Sequence, residues 1–88
     1  MRGAPPTDLE RVRLKDILGA YREAQGVSKL VVMVRLRDYF SRQDQLVVCD
    51  EIRTITDEDD LDVLIGAGAP GNLYYAVLAQ KAYLMGIV

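Results

Sequence analysis

The chain has 88 residues, of which 50% are hydrophobic and 27% charged, so it can form one small globular domain and is too apolar to be disordered. It contains no histidine and one cysteine, which excludes an internal disulfide framework and a zinc site built from several cysteines. Its formal net charge of −2 disfavours general nucleic-acid binding. Because no run of about 18 apolar residues is present, we expect no membrane-spanning helix and a cytoplasmic protein with a reduced Cys49.

The first predicted element is a helix over residues 8–25, preceded by an extended lead-in over residues 1–7. Thr7 and Glu10 have the spacing of a capping box, which favours a helix beginning at this point. A set of apolar side chains then shares one helical face: Leu14, Ile17, Leu18, Tyr21 and Ala24. Apolar and basic residues also alternate early in this segment, so residues 9–21 remain open to either a helix or a strand.

The middle of the chain is predicted to be an antiparallel β-hairpin. Residues 29–40 and 45–55 are rich in β-branched and apolar side chains, and the polar residues 41–44 separate them. Alternate positions of the first run would face one way: Leu30, Val32, Val34, Leu36 and Phe40. Because a two-stranded hairpin is not stable alone, helices or a second copy must cover it.

Two further helices are predicted after the hairpin. Thr56 is a suitable N-cap for a helix over residues 57–67, whose first turn is acidic and complements the helix dipole. The glycine-rich segment 66–71 ends that helix, and a last helix covers residues 72–85. The predicted fold is therefore a single α+β domain over residues 1–88, with a helix, a hairpin and two helices, completed by oligomerisation.

The last helix predicts self-association. From Leu73 to Val88 the only plainly polar side chains, besides tyrosine hydroxyls, are Gln80 and Lys81. A helix that is apolar nearly all round must be buried nearly all round, and a chain this short offers little with which to bury it. We therefore expect a homo-oligomer, first a homodimer, held by this helix, the hairpin edge or both. The predicted interface residues are Val32, Val34, Leu73, Tyr74, Val77, Leu78 and Leu84.

The motif Gly71-Asn72-Leu73-Tyr74-Tyr75, followed by Lys81, gives residues 57–88 a partial resemblance to the helix-turn-helix of tetracycline-repressor-type regulators. The resemblance implies a DNA-binding regulator whose matching contact positions are Asn72, Tyr74, Tyr75 and Lys81. Residues 45–88 carry two basic side chains (Arg53 and Lys81) and seven acidic ones, a balance of −5. Because DNA contact depends on cationic groups at phosphates, DNA binding ranks as the alternative function.

Three other patterns in the sequence bear on catalysis or ligand binding. Residues 9–55 resemble the strand meander of hotdog-fold dehydratases and thioesterases, which implies an acyl-CoA enzyme as a second alternative. The G-x-G-x-x-G spacing of residues 66–71 resembles a dinucleotide-binding loop, but only 17 residues follow it, and we interpret it as a helix break. The acidic residues 57–62 are typical of a helix N-terminus rather than a metal site.

The sequence therefore favours a small, non-catalytic assembly or regulatory protein-interaction module. We predict no catalytic residue, no metal site and no cofactor.

Overall fold

The computed structural model describes residues 12–87, and this part of the chain is helical. Five α-helices follow one another: α1 (Leu14–Glu23), α2 (Val27–Arg42), α3 (Gln45–Arg53), α4 (Glu58–Gly66) and α5 (Gly71–Leu84). The predicted lead-in, the capping box at Thr7 and Glu10, and the start of the predicted first helix lie outside the described residues. None of the helices within 12–87 combines the length and hydropathy needed to cross a membrane.

The predicted α+β fold and its β-hairpin are wrong, because residues 29–40 lie in α2 and most of 45–55 forms α3. No strand occurs between residues 12 and 87. The resemblance of residues 9–55 to a hotdog strand meander fails for the same reason. The alternative left open at residues 9–21 is a helix from Leu14 onward.

The error has a physical cause in α2, which is apolar on two opposite sides. Residues two apart on a helix are about 200° apart around its axis, whereas residues four apart share a side. Val32 and Leu36 are 6% and 0% exposed, whereas Leu30 and Val34 are both 65% exposed. Apolar residues on both sides of a helix alternate along the sequence in the same way as the residues of a strand.

The start of α3 is fixed by local hydrogen bonding. The Asp44 carboxylate accepts a hydrogen bond from the backbone N–H of Leu46 at 2.8 Å, which caps the helix. Val48 and Ile52, four residues apart, are fully buried. An ion pair at helical spacing joins Asp50 and Arg53 at 3.3 Å. Residues 43 and 44 therefore separate two helices rather than two strands.

The three helices predicted from the sequence are confirmed, with shifted boundaries. The first is observed over Leu14–Glu23, and its residues Leu14, Ile17 and Leu18 face the core. The helix α4 takes Asp57, not Thr56, as its N-cap, and the Asp57 carboxylate accepts from the backbone N–H of Asp59 at 2.9 Å. Gly68 lies in the turn that follows with φ of 82°, a conformation that favours glycine.

All five helices contribute to one core. The fully buried side chains come from every helix: Leu14, Leu18, Leu36, Val48, Ile52, Leu61, Leu64, Leu73 and Val77. Helix α1 packs on α2 and α3, and α5 packs on α3 and α4. Gln80 of α5 is buried, and its side-chain amide donates to the carbonyl oxygen of Ile55 at 2.8 Å. This bond satisfies a buried polar group and holds α5 against the segment between α3 and α4.

The two sides of α2 predict unequal effects of the same truncation. Leu36→Ala should lower the free energy of unfolding by about 2–5 kcal/mol, because it empties a core position. Leu30→Ala should lower it by less than about 1 kcal/mol, because its side chain is exposed. Urea unfolding followed by circular dichroism, at a low protein concentration, measures both. In a β-strand the two residues would face the same side, so equal losses would contradict the helix.

Candidate interaction surfaces

The outer side of α2 carries an exposed apolar stripe, which we call the α2 stripe. It consists of Val27, Leu30, Val31 and Val34, which are 75%, 65%, 56% and 65% exposed. The spacing i, i+3, i+4, i+7 places them on one side of the helix. Together they form a patch of roughly 400 Å², a size at which exposed apolar surface on a monomer is often a binding site.

The α2 stripe is free of charge. The only charged residue between Val27 and Val34 is Lys29. Its ammonium donates to the carbonyl oxygen of Tyr21 at 2.9 Å and lies 4.1 Å from the centre of the Tyr21 ring. Lys29 is therefore bound to α1 by a hydrogen bond and a cation–π contact. An uncharged apolar centre beside polar flanks is the composition found in protein interfaces.

A second exposed face, which we call the α5 outer face, consists of Tyr74, Tyr75, Leu78 and Tyr83. These residues are 39%, 70%, 37% and 66% exposed. The opposite side of α5 is in the core. A helix with few polar residues is thus half buried by its own chain and half left at the surface.

The predicted interface residues divide between these environments. Val32, Leu73 and Val77 lie in the core of the single chain, and Leu84 is half-buried against it. Val34 belongs to the α2 stripe, whereas Tyr74 and Leu78 belong to the α5 outer face. Of the predicted interface residues, only Val34, Tyr74 and Leu78 are exposed in this structure. Their contact with a partner remains a prediction.

The residues of the DNA-binding alternative lie on α5, which follows α4 after a turn and packs against it. Asn72 donates a long hydrogen bond, 3.4 Å, to the Gln45 side chain. The exposed rings of Tyr74 and Tyr75 lie edge to face at 6.0 Å. Lys81 forms an ion pair with Asp62 at 2.5 Å.

The surroundings of Lys81 are acidic. The hydrogen bond to Asp62 raises the pKa of Lys81, and the negative charges of Glu58 and Asp59 add smaller contributions. Lys81 is the only cationic residue of α5. A DNA phosphate would have to replace Asp62 as its partner, which weakens the electrostatic basis for DNA contact.

Glu51 of α3 joins three helices. One carboxylate oxygen accepts from the backbone N–H of Leu14 at 3.0 Å, at the start of α1. The other accepts from the hydroxyl of Tyr39 in α2. Burial, together with this hydrogen bond to a carboxylate, raises the pKa of Tyr39 above its ordinary value of 10.0. An open groove of about 510 Å³ lies beside this pair, but both oxygens of Glu51 are already occupied within the fold.

The acidic segment at the start of α4 is used for structure. Asp60 is buried, and the Arg22 guanidinium donates to its two oxygens at 3.1 and 2.5 Å. This two-point contact joins α1 to α4 with defined geometry. Asp57 caps α4. Between residues 12 and 87, no three potential metal-ligating side chains lie close enough together to hold an ion.

Sequence reasoning missed Val27, Leu30 and Val31 as surface residues and Glu51 as a joining residue. The helical spacing of the α2 stripe was present in the sequence, but alternation masked it. The i,i+4 pair Asp38 and Arg42, observed at 3.0 Å, was a usable helix signal. No sequence signal marked Glu51, because its partners lie 12 and 37 residues away.

The Tyr39 hydroxyl predicts a pH effect above pH 10. Because the fold raises the pKa of Tyr39, its contribution to stability is fully present below pH 10.0 and is lost as the pH rises toward the higher pKa of the folded state. The free energy of unfolding of the wild type should therefore fall above pH 10 more steeply than that of Tyr39→Phe. Urea unfolding across pH 8–11.5 measures this difference, and Tyr75→Phe is the exposed control. Parallel profiles for the wild type and Tyr39→Phe would contradict the assignment.

Comparisons with protein-family models, with curated proteins and with solved structures found no match for this chain.

Proposed function

We propose that this chain is a non-catalytic protein-interaction module that self-associates, with a second copy covering the α2 stripe. The observation that carries the proposal is the stripe itself: four apolar side chains, each more than half exposed, on one side of one helix. Covering exposed apolar surface of this kind with another apolar surface removes it from water and lowers the free energy of the pair. The absence of histidine from the sequence is consistent with a role that requires no acid–base catalysis.

The area of the stripe sets the expected strength of association. Stable dimers bury about 800 Å² on each partner. The stripe supplies about half of that, and the residues flanking it on α2 supply part of the rest. We therefore expect a reversible dimer whose population depends on concentration, rather than a permanent one.

Sedimentation velocity over a concentration series tests this function. The apparent mass of the wild type should rise from 9.8 kDa toward twice that value as the protein concentration increases. Leu30→Asp should remain a monomer, because it places a charge in the apolar contact. Leu46→Asp is the matched control, since Leu46 is a leucine of comparable exposure (76%) on α3.

A wild type that stays monomeric at every concentration would overturn the function, and a Leu30→Asp variant with the wild-type mass would remove α2 from the contact. Leu78→Asp tests the α5 outer face in the same series. If this variant alone dissociates the protein, the interface lies on the last helix, as the sequence predicts.

A second candidate, DNA binding, is favoured by one observation. Tyr74 and Tyr75 are exposed in the first turns of α5, which follows α4 after a turn, and the first turns of a recognition helix are where such a helix contacts bases. Gel retardation of duplex DNA at low salt tests it, with Lys81→Ala expected to weaken binding and Arg53→Ala as the control. No retardation by the wild type at low salt eliminates this candidate.

A further inference from the structure

We infer that two copies pair through antiparallel α2 helices, with a two-fold axis between Leu30 and Val31. This inference rests on the proposed self-association and specifies its geometry. It follows from the symmetry of the α2 stripe and from the charges at its two ends.

The stripe has the same spacing in both directions. Its members lie at positions 27, 30, 31 and 34, so the intervals are 3, 1 and 3. In an antiparallel pair centred on the stripe, Val27 of each copy is level with Val34 of the other, and Leu30 is level with Val31. Every member then meets an apolar partner, which is the self-complementarity that a two-fold interface requires.

The charges of α2 favour this direction over a parallel one. Beyond the stripe, α2 carries Arg35 and Arg37, both exposed. Neither takes part in an ion pair among residues 12–87. A parallel pair would place each arginine beside the same arginine of the other copy, and it would bring like ends of the two helix dipoles together. An antiparallel pair separates these like charges.

The antiparallel pair also brings opposite charges together. In this register Arg37 of one copy lies past the start of the partner's α2, near the turn that joins it to the end of α1 at Glu23. Asp38, at the same end, is already paired with Arg42 of its own helix. Glu23 is exposed at the end of α1 and, like the two arginines, belongs to none of the ion pairs in the described part of the chain. Each copy would therefore contribute Glu23 at one end of the contact and Arg37 at the other.

Disulfide crosslinking tests the direction of pairing. The natural thiol is removed by Cys49→Ser, and Val27→Cys and Val34→Cys are made separately in that background. Mild oxidation by copper phenanthroline removes two electrons and two protons from each thiol pair and forms the disulfide. One variant carries a mass tag, so mixed pairs (one copy of each variant) can be distinguished from like pairs (two copies of the same variant). The antiparallel pair predicts that mixed Val27–Val34 disulfides exceed both like pairs several-fold. An excess of like pairs would overturn the antiparallel direction.

A charge exchange tests the ends of the contact. Arg37→Glu should weaken dimerisation about two- to five-fold, and adding Glu23→Arg should restore it. Lys15→Glu, a charge reversal at an exposed position of α1, is the control and should change affinity less. Failure of the double variant to recover would contradict the proximity of these residues.

The mass series and the crosslinks separate the two proposals. A wild type that is monomeric in the mass series overturns self-association and this geometry together. A wild type that dimerises but gives no mixed crosslink overturns the geometry and leaves self-association standing.

Discussion

The structure depends on one constraint, which is that α2 is apolar on two opposite sides while the bundle has a single core. Val32, Leu36 and Phe40 fill that core. The stripe on the other side is left in water, because five helices of 9 to 16 residues provide no second layer to cover it. In our proposal a second copy with the same excess covers this stripe.

Three polar contacts help to determine which side of each helix faces inward. Glu51 holds the start of α1 and the end of α2 against α3. Asp60 holds α1 against α4 through Arg22, and Gln80 holds α5 against the segment before α4. Asp60 and Gln80 are buried and Glu51 is half-buried, so a rotated helix that left one of the buried groups unpaired would cost about 1–3 kcal/mol. Apolar burial drives the bundle together, and these contacts favour one arrangement of it.

Some segments of this fold could be predicted from the sequence and others could not. The helices α1, α4 and α5 were predictable because each has one clear signal: an apolar face, an acidic first turn or a glycine break. The helices α2 and α3 were not, because β-branched residues on both sides of α2 produce a strand-like alternation. The sequence also predicted self-association from excess apolar surface, and it assigned the excess chiefly to α5. In the structure one side of α5, which includes Leu73 and Val77, is buried in the core. Of the two exposed apolar surfaces, the α2 stripe is less polar than the α5 outer face, which carries tyrosine hydroxyls.

The most direct test of this central claim is a dilution series followed by two-dimensional amide NMR. If a second copy covers the α2 stripe, the amide shifts of Val27, Leu30, Val31 and Val34 should change together with concentration and follow one binding curve. Those of Leu46 and Val47, which are also exposed and apolar, should remain constant. Shifts at the α2 stripe that are independent of concentration, or changes confined to α5, would contradict the claim that α2 forms the contact.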